Sequence, residues 1–248
     1  MKIAVCISQV PDTTTKVRVG ENGKTIDPKD VTYIINPYDE FAIEEAIKLK
    51  EKNGGETIVI SVGKEAVKET VRKAFAMGID KGILIKTDDE MDSFSIAKNL
   101  AAVIKDLNPD IIFFGKQSID YDNSQVGILT AEFLGIPSVS VVVGLEIQGN
   151  KLTAEREIEG GKEIVEASMP AVICAQKGLN NPRYPNLKGI MMAKSKPIEE
   201  KSPSYSGNKS EVLGMKLPTG KSKGKIIGSD VTAVPELVRL LREEAKVI

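Results

Sequence analysis

The chain has 248 residues, enough to bury one substantial core, and sets 34 Lys and Arg against 35 Asp and Glu. That balance gives no bulk signal for nucleic acid or another polyanion, and no run of about twenty apolar residues offers a membrane span. Histidine is absent, which removes the commonest general base and metal ligand, so any redox work must be carried by a bound cofactor or a partner.

Residues 2 to 8, KIAVCIS, read as a buried strand, and the apolar run is too short and too strand-like for a secretory leader. Cys6 and Cys174, the only cysteines, fall in expected buried strands without metal or redox spacing, so a reduced, cytoplasmic protein is expected. Gln9 to Tyr33 carries the turn signals Glu21-Asn22-Gly23 and Asp27-Pro28, an excursion with a small hairpin. Asn36-Pro37-Tyr38-Asp39 starts a helix: Asn36 as cap, Pro37 in the first turn, Asp39 facing the free N–H groups and the positive dipole end. Ile43, Ala46 and Ile47 give it an inner face, and Gly54-Gly55 ends it.

The unit then repeats. Thr57 to Val62 and Ile83 to Lys86 read as strands, followed by helices faced by Val67, Val71 and Phe75 and by Ile96, Leu100 and Ile104. Ile111 to Phe114 is the central strand, and Gly115 ends it. A polar loop follows, with Asn123 or Ser124 as the expected cap of a helix whose inner face is Val126, Leu129 and Phe133. Strand, polar loop and helix start together offer backbone N–H groups to an anion. Alternating units of this size predict an α/β fold: a parallel, doubly wound sheet with helices on both faces. Ligands of such sheets bind beyond the carboxyl ends of the strands, here the rim near Ser8, Asn36, Gly63 and Gly115.

After Pro137 the pattern changes. Residues 139–147 and 151–158 alternate around Gly149-Asn150, and Ala171 to Ala175 is a further apolar strand, so antiparallel strands are appended to the parallel sheet. From Lys177 to Lys201, Leu187, Ile190, Met191 and Met192 add apolar surface among Arg183, Lys188, Lys194 and Lys196, the composition of a docking surface. Residues 1–200 are therefore expected to form the body, 201–224 a linker rich in Ser, Gly, Lys and Pro, and 225–248 an arm whose short amphipathic helix carries Leu237, Leu240 and Leu241.

The loop GKQSIDYDNSQ, with KVRV, NPYDEFAIEEAIKLKE, AMGID, EREIEGG and LNNPRYPNLKGIMMAKSKPI in order along the chain, resembles the electron transfer flavoprotein β subunits. The resemblance implies an adenine-nucleotide-binding fold of the universal-stress type and a soluble carrier subunit, not itself an enzyme. It implies AMP bound by the Cys6 backbone, by Asn36, Pro37, Tyr38, Asp39 and Val62, and by the loop from Gly115 through Lys116, Gln117, Ser118, Ile119, Asp120, Tyr121, Asp122, Asn123, Ser124 and Gln125 to Val126. It also implies a heterodimer with an α subunit that holds most of the FAD. Electrons would come from flavin dehydrogenases such as acyl-CoA dehydrogenases and pass to a quinone oxidoreductase. Leu187 matches the dehydrogenase anchor, in a docking surface with Ile190 and Met191, and Glu157 matches a position facing the α subunit's flavin domain.

Other readings remain open at this level. Pro11-Asp12-Thr13, Asp92-Ser93 and Val126-Gly127 resemble electron-bifurcating members, which carry a second FAD in place of AMP, whereas Tyr121 and the 179–194 stretch follow the AMP-carrying kind. A free-standing adenine-nucleotide sensor shares the fold but needs neither docking surface nor arm. An ATP-pyrophosphatase would need an SGGxDS loop where Ser8-Gln9-Val10-Pro11 stands.

Overall fold

The computed structural model describes residues 1–220 and 224–248. Strands β1 (Lys2–Cys6), β2 (Gln9–Pro11) and β3 (Tyr33–Ile35) lead into helix α1 (Pro37–Asn53). Then come β4 (Glu56–Gly63), α2 (Lys68–Met77), β5 (Lys81–Lys86), α3 (Ser93–Leu107), β6 (Ile111–Gly115) and α4 (Val126–Leu134). The second half supplies β7 (Ser138–Gln148), β8 (Lys151–Ile158), β9 (Gly161–Ser168), β10 (Ala171–Ala175), α5 (Leu187–Ser195), β11 (Glu199–Lys201) and α6 (Val234–Glu243). Nine strands form one sheet in the order β11-β5-β4-β1-β6-β10-β7-β8-β9, parallel up to β7 and antiparallel through β8 and β9. β2 and β3 pair separately as the short antiparallel excursion.

Strand alternation sorts the core into two layers. Ile3, Val5, Ile111 and Phe113 meet α1 and α2 through Ile43, Ala46, Val71 and Phe75. Ala4, Cys6, Ile112 and Phe114 meet α3 and α4 through Leu100, Ile104 and Ala131. Burying a Phe113 or an Ile111 contributes about 1.5–3 kcal/mol each, so the central strands hold both layers.

Several local expectations differ from the structure. Helix α4 buries Gly127, Thr130 and Ala131, while Phe133 stays exposed with its edge against Phe94. A Cβ on Gly127 would fall 2.6 Å from Cys174 Sγ and 3.2 Å from Phe114, so α4 sits on the sheet too closely for large side chains. Its N-terminal boundary is Gln125, which makes no side-chain cap, in place of Asn123 or Ser124. The stretch read from its composition as a docking surface contains a capped helix and an edge strand.

The segment expected as a linker begins as structure. Lys201 closes β11, and residues 204–210 run as a strap over α3. Asn99 accepts from the Ser204 and Tyr205 amides and donates to the Tyr205 carbonyl. Ser95 donates to the Gly207 carbonyl, and Asp92 accepts from the Lys209 and Ser210 amides. Positions 92, 95 and 99 share one helix face, so three short polar side chains replace the backbone ladder that the strap lacks. Residues 221–223 of the expected linker lie outside the described residues. In the arm, α6 follows a turn capped by Asp230, and Leu240 is its one buried side chain.

Candidate functional site

β4 and β5 lie on one side of β1 and β6 on the other, so the winding reverses beside β1. Such a reversal opens a crevice beyond the carboxyl ends of the strands. Three chain segments meet there, and one buried carboxylate joins them. Asp39 Oδ2 accepts from the Ser8 amide at 2.7 Å and the Ser8 hydroxyl at 3.0 Å. Its Oδ1 accepts from Asn36 Nδ2 at 2.9 Å and the Gly115 amide at 3.0 Å. Burial pushes the Asp39 carboxyl up to about 6, against the pull of those four donors. At neutral pH the group is a carboxylate with both oxygens fully used. Spacing alone assigned Asp39 to the helix dipole; the structure makes it the knot between the end of β1, the start of α1 and the end of β6.

Asn36 differs from expectation in the same way. It occupies the boundary of α1, but its side chain makes no cap. It donates to the Gln117 carbonyl at 2.8 Å and accepts from the Ile119 amide at 3.2 Å, holding the polar loop by its backbone. Asp122 and Ser124 lie in left-handed backbone, at φ 52° and 53°, a conformation that costs residues with a Cβ about 1–3 kcal/mol and collects at functional loops. Gln117 braces both, donating to Asp122 Oδ1 at 2.6 Å and accepting from the Ser124 hydroxyl at 3.0 Å. Asn123 reaches Ser93 at the start of α3 at 2.7 Å. Lys116 lies 5.0 Å over the Tyr38 ring.

The structure thus brings Asn36, Pro37, Tyr38, Asp39 and the loop from Gly115 to Val126 onto one rim, with Cys6 and Val62 at the ends of neighbouring strands. Tyr121 stands exposed on this loop, its phenol pushed up by partial burial and by Asp120 and Glu90. Cys6 and Cys174 are buried, and burial above all, with Asp39 nearby, raises both thiols, so neither is a nucleophile. Among the described residues no group of three His, Cys, Asp or Glu could hold a metal ion, and no helix is long and apolar enough to cross a membrane.

Leu187, Ile190 and Met191 lie elsewhere, on α5, which packs against α2. Glu157 lies on β8, toward the opposite edge of the sheet, and accepts from Gln176 at 3.0 Å. Helix α5 is held at both ends and along the side that meets α2. Asn186 caps it through the Gly189 amide at 2.7 Å. Arg72 donates to the Ala193 and Lys194 carbonyls at its other end. Gly189 lets it approach α2 so closely that a Cβ there would meet the Ala76 carbonyl at 2.5 Å. Upstream, Arg183 gives its amide, Nε and one terminal nitrogen to Glu44 and both terminal nitrogens to Glu51. Asn180 donates to Glu45 and the Phe41 carbonyl. Leu187 nevertheless projects 82% exposed and Met191 73%. Helix α5 thus combines a braced inner side with an apolar face turned outward.

The sequence marks Ser8 as a strand end and not as a partner of Asp39, and it places Glu44, Glu51 and Asn99 in no role. The signal for Asp39 was present in the Asn36-x-x-Asp39 spacing; the partners of the others come from positions far along the chain.

The doubly wound parallel sheet, with its polar loop at the winding reversal, defines an α/β protein of the class that binds ligands at strand ends. The family model described as "Electron transfer flavoprotein domain" matches residues 24–205. The chain is 41% identical to the "Electron transfer flavoprotein subunit beta" of Syntrophomonas wolfei, covering 100% of this chain and 98% of the relative. It is 41% identical to the protein of that name from Bacillus subtilis, covering 100% of each, and 34% identical to the human one, covering 100% and 99%. The chain belongs to the electron transfer flavoprotein β-subunit family. Membership makes it a subunit of an electron carrier rather than a conventional enzyme and implies an α-subunit partner.

Proposed function

We propose that the chain is the nucleotide-holding and docking subunit of a heterodimeric carrier whose FAD sits mainly in the α subunit. It binds AMP at the rim of Asn36 to Asp39, Gly115 to Val126, Cys6 and Val62. It presents Leu187, Ile190 and Met191 to a flavin dehydrogenase such as an acyl-CoA dehydrogenase, and the reduced heterodimer passes its electrons to a quinone oxidoreductase. Glu157 and the arm face the α subunit. The observation that carries this reading is the rigid mounting of an exposed leucine: every brace on α5 leaves the face of Leu187 open. Asp39, the buried carboxylate at the rim, has both oxygens taken by Ser8, Asn36 and Gly115, in keeping with a structural nucleotide.

Three features that resemble the two-flavin, electron-bifurcating members have local reasons of their own. Gly127 answers to Cys174 and Phe114 beneath it. Asp92 caps α3 and holds the strap, and Asp12 closes a turn on Thr14. None requires a second flavin, which favours AMP. The docking reading is tested with Leu187→Ala in the heterodimer, measuring reduction by an acyl-CoA dehydrogenase at limiting carrier. A buried leucine carries roughly 1.5–3 kcal/mol, so half-saturation should rise by one to two decades (about 1.4 kcal/mol each) with flavin content unchanged. Unchanged half-saturation would remove Leu187 from docking.

A further inference from the structure

The methionines of this chain are distributed unevenly between core and surface. Of the seven, Met77 is buried, Met1, Met91, Met169 and Met215 are partly covered, and Met191 and Met192 are 73% and 54% exposed. The exposed pair is adjacent, and both belong to α5. Met191 stands four residues after Leu187, on the same helix face, next to Ile190, so its thioether is part of the apolar surface that the leucine anchors. Leucine would supply equal apolarity there; methionine adds a sulfur that peroxides oxidise.

We propose that Met191 and Met192 form an oxidation-sensitive element of the docking face, at which hydrogen peroxide disables partner binding and a methionine sulfoxide reductase restores it, a dithiol supplying the two electrons and becoming a disulfide as the sulfoxide oxygen leaves as water. This inference rests on the docking role of α5. In the step, a thioether lone pair attacks one peroxide oxygen, the O–O bond breaks and an S–O bond forms. The sulfur is oxidised by two electrons and the peroxide leaves as water, so that thioether and hydrogen peroxide give sulfoxide and water. The product carries a strong S–O dipole at the centre of a surface that has to be desolvated on docking, where an unpaired acceptor weakens the contact. The fold favours this outcome over the alternatives. Cys6 and Cys174 are fully covered with raised thiols, so they do not compete for the oxidant. Gly189, Ala193, Arg72 and Asn186 hold the inner side of α5 without help from either methionine, so the modified helix keeps its place and only its outward chemistry changes.

The test uses the flavin-loaded heterodimer with an acyl-CoA dehydrogenase of the source organism as the probe. Wild type and the Met191→Leu/Met192→Leu double variant are each treated with hydrogen peroxide, freed of it and mapped by peptide mass. Half-saturation is then compared with that of the same protein untreated. The expected result is sulfoxide at 191 and 192 before any other methionine, an about tenfold rise of half-saturation in wild type, recovery with methionine sulfoxide reductase and dithiothreitol, and a treated-to-untreated ratio near one in the double variant. The proposal is overturned if oxidation begins at other methionines, or if sulfoxide at 191 and 192 leaves half-saturation unchanged while Leu187→Ala raises it. It is also overturned if untreated Leu187→Ala has no effect, and in that case the docking role falls with it.

Discussion

The Gly115 amide donates to Asp39 Oδ1 at 3.0 Å, and a Cβ on Gly115 would lie 2.4 Å from that same oxygen and 2.7 Å from the Tyr38 backbone. Glycine at the end of β6 and the carboxylate in the first turn of α1 are therefore one feature: β6 ends where it does so that its last amide can reach a buried anion.

Gly115→Ala is expected to force Asp39 and Tyr38 off that contact at a cost of about 1–3 kcal/mol. Urea unfolding of the heterodimer measures the loss, and the nucleotide retained after gel filtration should fall with it. An alanine variant with wild-type stability and nucleotide content would mean that the close approach is dispensable.

Asp39 also predicts a pH dependence. Its folded pKa, about 6, lies above the ordinary 3.8, so the folded chain binds this proton more tightly than the unfolded one. The contribution is complete below about pH 3.8 and is lost as pH rises through 6. Relative to Asp39→Asn, which does not titrate there, wild-type stability should fall by about 3 kcal/mol between pH 3.5 and pH 7.5. The variant is also less stable at neutral pH, because its amide sets a donor against N–H groups that need an acceptor. A stability difference that stays flat across this range would contradict the burial account.

Arg183 is expected to position α5 through Glu44 and Glu51. Arg183→Lys keeps the charge and loses the planar fork that serves two carboxylates at once. Hydrogen exchange of amides 183–195 should quicken, and half-saturation for the dehydrogenase should rise about threefold to tenfold, while flavin content and turnover at saturation hold. If exchange quickens and half-saturation does not move, the clamp is structural only.

Asn99→Ala should release the strap, leaving the Ser204 and Tyr205 amides without their acceptor at about 1–3 kcal/mol. Limited proteolysis should then cut within 204–210 at rates the wild type resists. The neighbouring anchor is insensitive to mild acid. Burial pushes the Asp92 carboxyl up, but amides from Ser95, Lys209 and Ser210 outweigh it and hold it at about 2. Its contribution is present above about pH 3.8 and is lost only as pH falls through 2.

The parallel half of the fold was legible because its signals are local. Apolar runs such as IIFF and turn residues such as Gly54-Gly55 and Gly78 mark elements without reference to the rest of the chain. β9 was hidden because KEIVEAS places charge on both faces of an outer strand and lacks the one-sided alternation of a half-buried one. Helix α5 was hidden because Gly189 breaks the propensity pattern, although that glycine is what admits the helix to α2. The strap reads as linker from its Ser, Gly and Asn content, and its order comes from side chains more than a hundred residues earlier. At the rim the location of these residues was legible and their hydrogen-bond partners were not. Asn36 looked like a cap, yet its side chain serves loop backbone eighty-one and eighty-three positions on, a pairing that only the folded chain creates.

The most direct test of the whole account is the nucleotide content of the heterodimer. The chain is co-expressed with its α subunit, purified, reconstituted with excess FAD and AMP, desalted, and its nucleotides extracted and counted. The account predicts one FAD and one AMP per heterodimer, with AMP alone reduced by Asn36→Ala or Gln117→Ala. Two FAD and no AMP, with the second flavin lost on substituting Asp120 or Asn123, would contradict it.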